Sequence, residues 1–166
     1  MRTEYIRRAS REEVFFLRSI LNHQLGINIA DKVIPEDILV KVSPRTGRIR
    51  EIFLPNGLKL ASIRASSYTF NLTIHMARII KELVKPVKLR LVVANEIAND
   101  VIKFSTNVFS KHVIDVDDDL RAGDEVLIVD ENDNLLCVGR MFLSPYEVMF
   151  FTRGIAARIR GCISHG

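Results

Sequence analysis

Residues 113–140 constrain the fold most. Val113-Ile114-Asp115-Val116 leads into an acidic turn, then Leu120 to Val129, then Leu135-Leu136-Cys137-Val138-Gly139-Arg140. Two apolar stretches leave a turn led by Gly123-Asp124, cross the Asp/Asn-rich tip 130–134 and return toward a glycine. Runs of this length and composition, bounded by turn residues, predict strands folded back on one another, as a small β-barrel requires.

The rest of the chain supplies the frame. Ser10-Arg11-Glu12-Glu13 has the spacing of a capping box, and Val14, Leu17, Ile20 and Leu21 follow at helical intervals, so a helix is expected over 11–23. Residues 38–42 and 48–54 flank the turn Ser43-Pro44-Arg45-Thr46-Gly47. Pro55-Asn56-Gly57 supplies the next turn, with Leu58, Leu60 and Ile63 continuing a meander. A second helix over 73–85 ends where Pro86 cannot donate a backbone hydrogen bond. Beyond that boundary the sequence predicts a strand at 89–93, a short helix at 95–103 and strands at 108–116, 124–130 and 134–142. A helix capped by Ser144-Pro145 and a last strand at 155–160 complete the chain. In that last strand Ile155, Ala157 and Ile159 alternate with Ala156, Arg158 and Arg160, which predicts one core face and one face carrying two guanidiniums.

The chain has 166 residues, enough for one domain or two small ones, and its 48% hydrophobic content and mean hydropathy of +0.13 allow a packed core. No apolar run approaches the ~18–20 residues of a membrane span and no charged-then-apolar leader opens the chain, so a cytoplasmic protein without membrane association is expected. Cys137 and Cys162 form no CxxC pair. Neither a disulfide framework nor a zinc site is expected, and Cys137 reads as a small buried apolar group. Charge is unevenly placed: residues 1–88 carry 16 Lys and Arg against 8 Asp and Glu, whereas 89–166 carry 8 against 12. Nine acids crowd into 115–133, and four arginines follow in 134–166. Basic surface of this kind attracts polyanions, although solvated lysines and arginines are common on any soluble protein.

The segment GDEVLIVDENDNLLCVGR (123–140) resembles the PUA domain, an RNA-binding module of modification enzymes and ribosome-linked proteins. The likeness runs further. Asn22-His23-Gln24-Leu25-Gly26, then Pro44-Arg45-Thr46-Gly47-Arg48-Ile49-Arg50, then Leu60-Ala61-Ser62-Ile63-Arg64-Ala65-Ser66 resemble, in order, the region preceding the PUA domain of archaeosine tRNA-guanine transglycosylase. Asn107 to Lys111, Gly123 to Val126, Val138-Gly139-Arg140 and Arg153-Gly154 continue it. The resemblance implies an α+β protein: a small α/β N-terminal domain over 1–87 followed by a PUA-type pseudo-β-barrel with short helices over 88–166.

The transglycosylase family exchanges the base in a separate TIM barrel, with aspartates and a zinc held by three cysteines and a histidine. This sequence is too short for that barrel beside the two domains, and its two cysteines cannot supply the zinc site. The related amidinotransferase motif Pro-Cys-x-x-Lys-Pro-Tyr is absent. There is no phosphate-binding G-x-x-x-x-G-K-[ST] loop, and His23, His75, His112 and His165 are scattered. No catalytic residue, metal site or cofactor is therefore expected. The acids at 117–119 lack EF-hand spacing and read as a solvated turn.

In PUA domains RNA lies against the loop after the first helix, the following strand and the last strand. Carried over by position, the resemblance implies Lys103, Phe104, Ser105, Thr106 and Asn107 in the loop, with Phe109 and Lys111 beyond. The closing strand contributes Arg153, Gly154, Arg158 and Arg160. Arginine forks match phosphate oxygens, and an exposed ring can stack on an unpaired base. Phe109 reads first as a barrel-core residue, and Phe104 equally as a core residue or an exposed one. Ser105 stands where family members commonly carry glycine, and His112 replaces a glycine or aromatic. Arg45, Arg48 and Arg50 form a second basic patch on the first hairpin, following the backbone of the same RNA or simply keeping a strand edge soluble.

The function expected is that of a non-catalytic RNA-binding protein, with tRNA as ligand, acting as a targeting subunit for a separate transglycosylase. The alternative is a free-standing factor binding ribosomal RNA or ribosomes. A third class is a protein-interaction module docking a basic partner on the acidic 115–133 edge.

Overall fold

The predicted capping box forms: Ser10 Oγ accepts from the Glu13 amide at 3.2 Å, and a Glu13 carboxylate oxygen accepts from the Ser10 amide at 2.8 Å. Helix α1 (Arg11–Leu25) runs on from it, burying Val14, Leu17, Leu21 and Leu25 along one stripe. The structure, a computed structural model, describes residues 5–104, 106–151 and 153–163. Ser105, His165 and the side chain of Phe104 lie outside the described residues. The chain divides into two units, 1–79 and 80–166.

In the first unit β1 (Tyr5–Arg8), β2 (Leu39–Val42), β3 (Ile49–Phe53), β4 (Lys59–Ile63) and β5 (Phe70–Leu72) form an antiparallel meander in that order. Leu17 and Leu21 of α1, with Ile34, Ile38, Ile52, Leu60, Phe70 and Met76, are fully buried. Each such side chain contributes about 1.5–3 kcal/mol relative to exposure. The Asn22–Gly26 motif has a structural role. Asn22 Oδ1 accepts from the amides of Ile29 and Ala30 at 2.9 Å, fixing the short helix α2 (Ala30–Val33). The Gln24 amide donates to the Phe70 carbonyl at 2.8 Å and accepts from the Phe70 amide at 2.7 Å, docking α1 on edge strand β5.

Helix α3 (Ile74–Leu83) leads into the second unit. There β6 (Arg90–Val93), α4 (Ala98–Phe104), β7 (Asn107–Phe109), β8 (Val113–Val116), β9 (Glu125–Val129), β10 (Leu135–Met141), α5 (Pro145–Phe150) and β11 (Ile155–Cys162) follow in turn. The sheet order is β7-β11-β10-β9-β6-β8, curled into a half-barrel, with β6 and β9 parallel and every other pair antiparallel. All five residues of β9 are buried, as a central strand requires. Arg90 is 1% exposed. Its guanidinium donates to Asp133 at 2.6 Å and to the carbonyls of Lys81, Val84 and Lys88 at 2.8–3.0 Å, tying the entry of this unit to the tip of the β9–β10 hairpin.

Four expectations are corrected. The strand predicted at 108–116 is two strands on opposite edges of the sheet, separated by a 3-10 turn at Ser110–His112. The cysteines do pair: Cys137 on β10 and Cys162 on β11 face each other in register and are disulfide-bonded. Sequence spacing could not show this, because the strand carrying Cys162 runs beyond its predicted end. The even alternation of β11 is broken, since its register with β7 shifts between Ile155 and Ala157, so Ala156 and Ala157 are both buried while Ile155 and Ile159 are partly exposed. The acidic turn is not wholly solvated. Asp117 is 8% exposed and accepts from the amides of Leu89 and Asp119 at 2.7 and 3.0 Å, with Lys88 Nζ 3.9 Å away. Among the described residues no group of three His, Cys, Asp or Glu is placed to hold a metal ion, and no helix is long and apolar enough to cross a membrane.

Candidate nucleic-acid interface

Across four neighbouring strands of the second unit, Glu125, Arg140, Arg158 and Asn107 stand opposite one another in register. Directly paired residues project to the same face of a sheet, so these four belong to one row. Glu125 is 5% exposed, and a carboxylate that deep requires a cationic partner. Arg160 provides a two-pronged clamp on it, one prong at 2.8 Å, and Arg140 Nε lies 3.5 Å away. Arg158 differs. Its guanidinium sits 5.1 Å above the ring of Phe142, the residue is exposed, and no described carboxylate pairs with it. The two arginines expected to act alike are therefore unlike: Arg160 neutralises a buried acid, whereas Arg158 leaves its charge to solvent or a ligand.

The candidate loop is held beside Arg158 by backbone bonding. The Ile159 amide donates to the Thr106 carbonyl at 2.9 Å, extending the β7–β11 ladder one step past Asn107. Lys103 is exposed at the end of α4, and Thr106 is exposed next to the strand. At the other end of the ladder Phe109 faces Ile155, and the Ser110 amide donates to the Gly154 carbonyl at 3.0 Å. Gly154 has φ +111°, a conformation that favours glycine. Arg153 and Lys111 are exposed beside it. Phe109 is 46% exposed, which removes the core alternative for that ring. Among the described candidates of the second unit, all lie along the edge made by α4, β7 and β11.

In the first unit Arg45, Arg48 and Arg50 border one cavity of about 510 Å³. A register shift between Lys41 and Val42 leaves Arg50 as the extra residue of β3, turned out to solvent. Arg48 precedes the strand and lies 5.6 Å over the ring of Tyr68, which meets Phe16 edge-on at 6.4 Å. None of the three arginines has a carboxylate partner among the described residues. Glu13 also lines the cavity, but Arg7 holds it at 2.6 and 2.8 Å. Chiefly through that hydrogen bond, its carboxyl is drawn down to about 2.

Sequence reasoning passed over Phe16, Tyr68 and Phe142. Phe142 is an exposed ring beside Arg158 and Phe16 an exposed ring beside Tyr68, and the signal available was aromatic residues off the apolar stripe of α1 and at the end of β10. Tyr68 has φ +53° in the turn before β5, and no periodicity marks such a position.

Residues 16–86 match the family described as patch-forming domain C2 of tRNA-guanine transglycosylase, and 89–163 match the PUA domain family. The chain is 38% identical over 148 residues to the tRNA-guanine(15) transglycosylase of Methanocaldococcus jannaschii, covering 87% of this chain and 22% of that protein. It is 33% identical over 143 residues to the enzyme of the same name from Thermoplasma acidophilum, covering 86% and 22%. The chain thus spans less than a quarter of the length of these curated relatives. Among solved structures, a hypothetical protein of Pyrococcus horikoshii OT3 superposes with a TM-score of 0.72 at 18% identity, covering 95% of this chain and 94% of that one. A conserved PUA domain protein from Thermoplasma acidophilum gives 0.60 at 16% identity, covering 95% and 93%.

Proposed function

We propose, because this chain belongs to the PUA-domain proteins and resembles the C-terminal, pre-PUA plus PUA region of archaeosine tRNA-guanine transglycosylase, that it binds RNA, with tRNA as its ligand. It acts without catalysing base exchange itself, as the RNA-holding component of a tRNA-guanine transglycosylation system working in the cytoplasm. The observation that carries the reading is Arg158: an exposed guanidinium without a carboxylate partner among the described residues, beside an exposed ring and a polar loop. Phosphate oxygens accept from such a fork, and loop amides and hydroxyls near Thr106 and Asn107 can bond to the backbone or to 2′-hydroxyls. Lys103, Lys111 and Arg153 extend the positive edge, and Phe109 offers a surface on which an end base can stack.

The test is retention of bulk tRNA by the whole protein and by Arg158→Glu. Hydrogen bonds to charged groups are worth about 1.5–3 kcal/mol, so the variant should bind roughly tenfold or more weakly. Arg158 makes no ion pair with a described residue and only a cation–π contact with Phe142, worth about 0.5–1 kcal/mol at an exposed site, so thermal stability should change little. Unchanged affinity removes this edge as the RNA site. Mixing the protein with a transglycosylase catalytic protein and tRNA should raise the exchange rate or lower the apparent KM, and no change in either removes the accessory role while leaving RNA binding intact.

A further inference from the structure

We propose that the cavity of the first unit receives a single unpaired nucleotide of the bound RNA, its base against Tyr68 and Phe16 and its flanking phosphates on Arg45, Arg48 and Arg50. This rests on the RNA-binding reading and adds what the first unit recognises. Three properties of the cavity lead there. Its charge is positive, because the one acid in its wall, Glu13, is neutralised by Arg7 while the three arginines have no described carboxylate partner. Its apolar part is aromatic and open: Phe16 is 48% and Tyr68 44% exposed, set edge to face, with the Arg48 guanidinium already over the tyrosine ring. Its volume, about 510 Å³, falls within the ~300–1,000 Å³ of clefts that hold one small ligand.

A flat anionic ligand satisfies all three. A paired base inside a helical stack presents no free face to a ring, whereas a bulged or looped-out nucleotide presents both its π-face and its phosphate. A duplex is too wide for the cavity. The first unit therefore reads the presence of an unpaired nucleotide, where the α4–β7–β11 edge of the second unit grips backbone and end.

The experiment compares two hairpin RNAs whose strands are joined by a non-nucleotide ethylene glycol linker, so that neither carries a looped nucleotide, and which differ by one bulged 2-aminopurine, titrated with the whole protein. Stacking worth ~1–3 kcal/mol per base predicts that the bulged hairpin binds about tenfold more tightly, with its 2-aminopurine fluorescence quenched on binding. Tyr68→Ala and Phe16→Ala should each bring the affinity ratio toward one and leave affinity for the paired hairpin unchanged, while Tyr68→Phe keeps the preference. Arg158→Glu should weaken both hairpins by the same factor. Equal binding of the two hairpins by the native protein, with no fluorescence change, overturns the proposal and leaves RNA binding standing. Binding of neither hairpin overturns both. Adenosine 5′-monophosphate binding as tightly as the bulged hairpin overturns it in favour of a free-nucleotide site.

Discussion

Arg7 and Glu13 show what a single contact does at the edge of the first unit. The guanidinium forks onto the carboxylate, which also accepts from the Ser10 amide, so the charged form of Glu13 is favoured and its pKa falls from 4.5 to about 2. A carboxyl depressed by folding stabilises the native state fully above its unfolded pKa and loses that contribution as pH falls toward the folded value. The melting temperature should accordingly drop between about pH 4.5 and 2 by more in the native protein than in Glu13→Gln, and parallel curves would refute the coupling. With both partners partly exposed, the effect is modest. The Ser10–Glu13 half of this arrangement was legible, because capping boxes have fixed spacing. The Arg7 half was not, since a short, mostly exposed strand such as β1 carries no alternation to announce it. The same limit applies to Arg158 and Arg160. Their spacing showed a shared strand, but the acid that engages one of them comes from β9, far off in sequence.

Between elements, Gly139 sets how closely β10 and β11 approach. A Cβ there would lie 2.0 Å from the Arg158 carbonyl oxygen and 3.0 Å from its carbonyl carbon, both backbone atoms that cannot step aside. Gly139→Ala should force the strands apart and destabilise the second unit by about 1–3 kcal/mol, the usual penalty of overpacking, seen as a lower urea midpoint. Because the displaced carbonyl belongs to Arg158, RNA affinity should fall with it, and an unshifted midpoint would mean the ladder tolerates the methyl. Val138-Gly139-Arg140 was visible as a motif, and helices α1, α3, α4 and α5, the β2–β4 meander and the central strands followed from periodicity, caps and turn residues, whereas the short helix α2 carried no such signal. What escaped were irregularities of register: the bulges that turn out Arg50 and bury both Ala156 and Ala157, and the turn that sends β7 and β8 to opposite edges. A pattern of period two carries no mark of where a ladder slips by one.

At the scale of the molecule, charge rather than area should govern RNA affinity. The first 88 residues carry a surplus of eight positive charges and the remainder a deficit of four, yet several acids of the second half are engaged internally, Glu125 by Arg160 and Arg140, Asp133 by Arg90. Each phosphate neutralised contributes about −0.9 to the slope of log K against log salt on duplex and about −0.7 on single strands. Replacing Arg48 and Arg50 by alanine should flatten that slope by roughly 1.4–1.8 if both meet phosphates, and an unaltered slope would place the RNA elsewhere. Strand order could not be foreseen, since nothing local records which strands become neighbours. One neighbour relation governs assembly. Strand β7 is hydrogen-bonded to β11 and to no other strand of its sheet, so the residues at 107–109 have no ladder to join until residues 155–158 exist. During synthesis the edge proposed to hold RNA is thus the part that must wait, because it cannot assemble until a ribosome has translated residues 155–158.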